Sequence, residues 1–256
     1  MKWDAEKYDS VKAPQIDAGR ELIATAEVRE TDSVLDIGCG TGKLTVELAR
    51  LASKGKVVGI DPSKEMLQKA QEVAAGVENL RFVRTGVESI DFVDRFDFAF
   101  SNSSLQWVKE QAEAIRRTYR SLRRGGRIAF QLPARDFCVE FFNYSSNAIT
   151  LLGYERFFLD WRTPWFLPTR EEYERLLERA CFRNIKVYYR EYKLVFSGIG
   201  EILEWWSTAG LRPYLAALPE REKEYFKYAV AMQYEQNRTE RGLEFGFRRL
   251  FASATK

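Results

Sequence analysis

The sequence predicts an α/β fold, a mostly parallel doubly wound sheet with helices on both faces, and three observations carry that prediction. Short apolar runs alternate with helical patterns through the first half of the chain. A glycine-rich turn, Gly38-Cys-Gly40-Thr-Gly42, separates the first run from the first helical pattern. An acid, Asp61, closes the second run. Strands alternating with helices across short turns are the signature of a parallel sheet.

Each element has a local reason. Val34-Leu-Asp-Ile37 reads as the first strand, and the helix after the glycines carries Leu44, Leu48 and Leu51 at the i, i+4, i+7 spacing of one buried face. Gly55 is expected to cap that helix at its C-terminus. Val57 to Ile60 forms the second strand. Pro62-Ser63 opens a second helix that should bury Met66, Leu67, Ala70 and Val73 and stop near Gly76. Leu80 to Val83 is the third strand and Phe96 to Phe100 the fourth, running into Ser101-Asn-Ser-Ser104. A helix from about Glu110 to Leu122, a turn at Arg124-Gly-Gly126 and a fifth strand from Arg127 to Leu132 follow.

The stretch 134–168 is rich in aromatic residues, and Phe137, Phe141 and Tyr144 follow helical spacing. That predicts a helix packing its own core, with the roof of an apolar pocket as the functional alternative. Thr169 to Arg179 is a capped amphipathic helix feeding a strand from Ile185 to Phe196. A second helical stretch, about 199–236, would complete a cap, and a final strand from Glu244 to Ala254 would return antiparallel. With no repeats or linkers, residues 1–256 are expected to form a single domain: a cofactor-binding core of about 30–132 and a helical cap from about 134–168 and 199–236.

Composition narrows the function classes. Of 256 residues, 45% are hydrophobic and 30% charged, an ordinary globular balance. Forty basic and 37 acidic residues are well mixed, so no basic arm suggests nucleic acid as a partner. No run of about 18 apolar residues predicts a membrane span. Three cysteines, Cys39, Cys138 and Cys181, have no metal-ligand spacing, so no metal is expected, and free thiols with no signal segment suggest the cytoplasm. The sequence contains no histidine, so any chemistry proceeds without the usual neutral-pH acid–base side chain.

The glycine turn points to a bound cofactor. A strand-to-helix turn that lets a ligand touch the backbone has no room for Cβ atoms and uses positive φ angles. An acid ending the next strand is placed to take both hydroxyls of a ribose. Asp36-x-Gly38-x-Gly40-x-Gly42 is tighter than the Gly-x-Gly-x-x-Gly of dinucleotide sites, and Gly42-Lys43-Leu44 fails the phosphate-loop pattern. With no diphosphate to cradle, the expected ligand is a nucleoside carrying an amino-acid tail.

Val34 to Gly42, Asp61, the strand into Ser101-Asn102 and Leu122 to Arg127 together resemble the motifs of class I S-adenosylmethionine-dependent methyltransferases, in order and at family spacing. The resemblance implies the family's Rossmann-like seven-stranded sheet with its last strand antiparallel. It implies S-adenosylmethionine as cofactor, with Asp36, Gly38 and Gly40 near its methionine end and Asp61 on the ribose. Pro62, Ser63 and Asn102 are carried over with those motifs, and Tyr8 is expected either near the sulfonium or packing an N-terminal lid. Where the family usually has an acid for the adenine amine, this chain has Gly86-Val87-Glu88, which leaves the contact to Glu88 or to the Val87 backbone.

Three further segments, Trp3-Asp-x-x-x-Tyr8 with Gln15, Asn102-Ser-Ser-Leu-Gln-Trp107, and Ala209 to Tyr214 with Phe247 to Phe251, are similar to trans-aconitate methyltransferases and neighbouring small-carboxylate O-methyltransferases. The implied acceptor is a small organic acid, methylated on a carboxylate. A carboxylate is already deprotonated at neutral pH and needs only positioning and desolvation, which suits a chain without histidine. Arg212 is the candidate to orient the far end of the substrate, because a planar guanidinium grips a carboxylate bidentately. Gln15, Ser103 and Trp107 are candidates to steer the reacting carboxylate, and Arg249 for substrate contact or a buried ion pair. Competing readings are carboxyl methylation of a carrier-protein thioester, methylation of another nucleophile on a small molecule, and a cofactor-binding regulator without activity.

Overall fold

In the computed structural model, which describes residues 14–256, strand β1 (Val34–Ile37) is buried at every position. It is central, with β2 (Val57–Asp61) and β4 (Phe96–Asn102) parallel on either side. Burial on both faces explains why its sequence is a continuous apolar run rather than an alternating one. β3 (Leu80–Arg84) adds outside β2, and β5 (Leu122–Pro133) adds outside β4, both parallel. β6 (Arg183–Phe196) is the far edge, and β8 (Gly242–Thr255) runs antiparallel between β5 and β6. The order is β3-β2-β1-β4-β5-β8-β6, with the two-residue β7 (Arg238–Thr239) paired to the start of β8. The expected antiparallel return of the last strand is therefore observed.

Strand order reverses between β1 and β4. In open α/β sheets ligands bind at the carboxyl ends of the strands at such a switch point. The turn after β1 and the segment after β4 meet there.

Helices α1 (Pro14–Thr25), α2 (Lys43–Leu51), α3 (Lys64–Val73), α4 (Gln111–Ser121) and α6 (Arg170–Arg179) accompany the sheet, and α5 (Val139–Leu152) belongs to the cap. Ser63 caps α3 by accepting the Met66 N–H, and Thr169 and Glu172 form a reciprocal capping box at α6. Leu51 and Val73, expected inside, are 45% and 37% exposed. Each lies seven residues after the candidate that opens its stripe, about 20° short of two full turns, and falls on the rim. Gly55 is not the cap of α2, a position Ala52 occupies. Its side chain is excluded by sterics: a Cβ there would lie 1.9 Å from the Asp32 carbonyl oxygen.

The cap comprises α5, α7 (Ile199–Thr208), α8 (Arg212–Ala217), α9 (Glu220–Met232) and a short 3₁₀ turn, Gln233–Asn237. Phe137 precedes α5 instead of starting it, while Phe141 and Tyr144 point into the cap core. That core joins Phe141, Trp205, Trp206, Tyr214 and Phe226 to Phe245 and Phe247 of β8, so the cap is rooted in the sheet. Phe141 stacks on Trp206 with ring centroids 3.8 Å apart. Gly153 ends α5 at φ 67°, the left-handed conformation that closes a helix without Cβ strain.

Candidate active site

The turn after β1 has three glycines with positive φ, Gly38 at 71°, Gly40 at 54° and Gly42 at 79°. A Cβ on Gly38 would lie 1.7 Å from Ser104 Oγ, so this glycine lets the segment after β4 close over the turn. A Cβ on Gly40 would meet nothing within 4 Å, because Gly40 faces a cavity. Asp36, Gly38, Gly40, Thr41, Phe100 and Asn102 line that cavity, so four of the expected cofactor residues converge on it.

Asp36 is 2% exposed and accepts a 2.7 Å hydrogen bond from Thr45 Oγ1. Burial raises its carboxyl from the usual 3.8 to about 7, with the Asp61 charge adding to the rise and the Thr45 bond opposing it. Asp61 accepts the Gly40 N–H at 3.1 Å on one oxygen and the Ser63 N–H at 2.8 Å on the other. Burial raises its pKa against those two hydrogen bonds. Each carboxylate oxygen keeps a second acceptor position. Burial, then the neighbouring acids, hold the Cys39 thiol well above its ordinary value, so it stays protonated and unreactive.

Val87 and Glu88 form a 3₁₀ turn just past β3, which pairs Arg84 with Asp61 of β2. Val87 is buried and Glu88 exposed. The Glu88 carboxylate lies over Gly86, where a Cβ would be 2.7 Å from both its oxygens. The glycine at position 86 thus makes room for a carboxylate from two residues on. Pro62 is exposed, and its carbonyl accepts from Arg84 Nε at 3.2 Å.

A second cavity opens beyond Asn102. It encloses about 680 Å³ of empty space, part of it open to solvent, and is lined by Ser103, Gln106, Trp107, Arg249 and an aromatic wall from the cap. Ser103 sits at φ 55°, and its amide donates to the Gln131 carbonyl at 2.8 Å. Arg249, 3% exposed, donates to Gln131 Oε1 at 2.7 Å and to Ser103 Oγ, which donates to Gln131 Oε1 at 3.1 Å. Two side chains, Ser103 just past β4 and Gln131 on β5, thus hold the buried guanidinium that β8 supplies. Trp107 meets Trp165 edge to face at 5.7 Å. The aromatic stretch both packs the cap and supplies this wall, so each of the two expectations holds for part of it.

Arg212 is not among the lining residues, though Ala209 and Gly210 just before it are. It opens α8, where Pro213 and Tyr214 are buried and Trp161 Nε1 donates to the Pro213 carbonyl at 3.4 Å. Tyr8 lies outside the described residues, and Gln15 falls on α1 with its side chain outside them. α1 itself packs closely: a Cβ on Gly19 would lie 2.9 Å from Asn102 Nδ2. Sequence reasoning missed Gln131 and Thr45. Gln131 carried a signal, a polar side chain inside the apolar run Ile128-Ala-Phe-Gln-Leu132, which demands a partner when buried. Among the described residues no group of three or more His, Cys, Asp or Glu could hold a metal, and no helix is long and apolar enough to cross a membrane.

Residues 29–180 match a family model described as a methyltransferase domain. The chain is 30% identical to a trans-aconitate 2-methyltransferase of Deinococcus radiodurans, over 85% of this chain and 84% of that protein. It is 28% identical to one from Rhodopseudomonas palustris over 99% of both. Among solved structures, the YcgJ protein of Bacillus subtilis superposes with a TM-score of 0.62 at 20% identity, covering 92% of this chain and 96% of that one. A phosphoethanolamine N-methyltransferase of Haemonchus contortus, in complex with S-adenosylhomocysteine, gives 0.60 at 18% over 94% of this chain and 53% of that one.

Proposed function

The chain belongs to the methyltransferase-domain family and is an S-adenosylmethionine-dependent methyltransferase, and from that premise we propose that it methylates a carboxylate of a small organic acid to give a methyl ester. The observation that carries the proposal is the buried guanidinium of Arg249, held at one end of an aromatic cavity that begins one residue from the cofactor cavity. Relatives named trans-aconitate 2-methyltransferase support the same reading.

The residues present fit the cofactor. Gly40 leaves a cradle that a Cβ would occupy, and the buried Asp36 carboxyl is placed to balance a cationic amino-acid tail. The free acceptor positions of Asp61 suit two ribose hydroxyls, with Ser63 holding that carboxylate in place. Val87 and Glu88 would bound the adenine, Glu88 taking its amine, and Asn102 would sit between donor and acceptor. Bound S-adenosylmethionine would supply an electrophilic methyl on a sulfonium, so that an O–CH3 bond would form from a carboxylate lone pair as the S–CH3 bond broke onto sulfur, with no proton moved.

The chain's own task is then to position and to exclude water. Arg249 holds one carboxylate oxygen and leaves the other facing the donor, with Ser103 and Gln131 fixing the guanidinium. This gives Arg249 the reacting carboxylate, a different role from the far-end contact expected of Arg212. Trp107 and Gln15 would bound the approach. The aromatic wall lowers the local dielectric, which favours a step in which a cation and an anion become two neutral groups. With labelled S-adenosylmethionine and a panel of acids, mild base should return the label as volatile methanol. Base-stable label would refute carboxyl methylation.

A further inference from the structure

We infer that the acceptor is a monocarboxylic acid with an apolar body, not a polycarboxylate. The inference rests on the carboxyl-methylation reading and narrows it. Among the described residues Arg249 is the only cation lining the acceptor cavity. It lies beside Ser103, so a carboxylate bound to it stands next to Asn102 and the donor cavity. The rest of the acid must then extend along Phe137, Phe142, Trp165, Trp205 and Trp206.

A second or third carboxylate would leave water to face these rings. Ring faces carry negative electrostatic potential, and the indole N–H groups of Trp165, Trp205 and Trp206 are donors without a charge to balance a carboxylate. An ionised group buried without a partner is strongly disfavoured. A methylene chain or a ring in the same space gains from burial instead. The residue expected to hold a second carboxylate, Arg212, opens α8 outside the lining, so it does not turn this wall into a polyanion site. Of the remaining lining, Pro133, Leu167, Ala209 and Gly210 are apolar, and Gln106 and Thr208 are polar but carry no charge to balance a carboxylate.

The test compares initial rates of base-labile methyl transfer at saturating S-adenosylmethionine. The polyacid arm contains trans-aconitate and citrate; the apolar arm contains an aryl acid such as cinnamate and an isoprenoid acid such as geranic acid. The better apolar acid should exceed both polyacids by about 100-fold or more in kcat/KM, as an unpartnered buried charge demands. A polyacid that equals or surpasses both apolar acids overturns the inference while leaving carboxyl methylation standing. If no acid accepts label although calorimetry shows cofactor binding, carboxyl methylation fails and the inference falls with it. Phe142→Arg supplies a second readout, because Phe142 is only half-buried. A cation added there should raise trans-aconitate kcat/KM relative to the apolar acid by about 10-fold or more; an unchanged ratio in the folded variant contradicts the inference.

Discussion

Asp36→Asn tests the cofactor site through stability rather than turnover. Asp36 is 2% exposed, and burial raises its pKa to about 7 from an ordinary 3.8. The folded protein therefore holds a proton that the unfolded chain releases near pH 4. That preference stabilises the fold fully below the unfolded pKa and is lost as pH rises through about 7. Between pH 5 and the folded value lie about two pH units at about 1.4 kcal/mol each, so wild type should lose roughly 3 kcal/mol from this group between pH 5 and pH 8. The asparagine variant still offers Thr45 an acceptor but does not titrate, so it lacks this loss. Urea unfolding of both proteins at the two pH values, without cofactor, isolates the difference in slope. S-adenosylhomocysteine should then stabilise wild type more than the variant at pH 8, because the cationic tail loses its counter-charge. Equal pH slopes in the two proteins would refute the buried-carboxyl argument.

Other consequences are as specific. Gln131→Leu removes an acceptor from Arg249 and should lower acceptor kcat/KM by about 10- to 100-fold with the cofactor Kd unchanged, because a misplaced anchor costs orientation. Glu88→Ala should weaken cofactor binding several-fold by calorimetry, whereas Gly86→Ala, at φ −85°, should fold normally and weaken it by displacing the Glu88 carboxylate. Tyr173→Phe should stabilise the fold by about 1 kcal/mol in urea, since the Tyr173 hydroxyl is buried with no hydrogen-bond partner among the described residues. Gly42→Ala, at φ 79° with its Cβ 2.9 Å from that of Ala70, should destabilise by about 1–3 kcal/mol and lower the unfolding midpoint.

What the sequence revealed follows the range of each interaction. The strand-turn-helix order, the Ser63 cap and the Thr169–Glu172 box are local, and each was readable from a few neighbouring residues. Asp61 could be placed because it closes a strand adjacent to the turn it serves. The acceptor side was less legible. Arg249 is 118 positions from Gln131 and 146 from Ser103, and only the antiparallel insertion of β8 beside β5 brings them together. Arg212 was assigned the far end of the acid because its motif was local and aromatic. In the fold that segment starts α8, with Pro213 and Tyr214 buried. Leu51 and Val73 went astray because heptad spacing drifts from the helical repeat, putting the last apolar residue on the rim.

The most direct test of the account is the pH dependence of kcat at saturating S-adenosylmethionine and saturating acid. A carboxylate arrives deprotonated, and Arg249 and the aromatic wall only position and desolvate it. The account therefore predicts a kcat that is flat from pH 6 to pH 9. A kcat that rises tenfold per pH unit through neutrality would mean that a proton must be removed from the nucleophile or from a base, and would contradict the account.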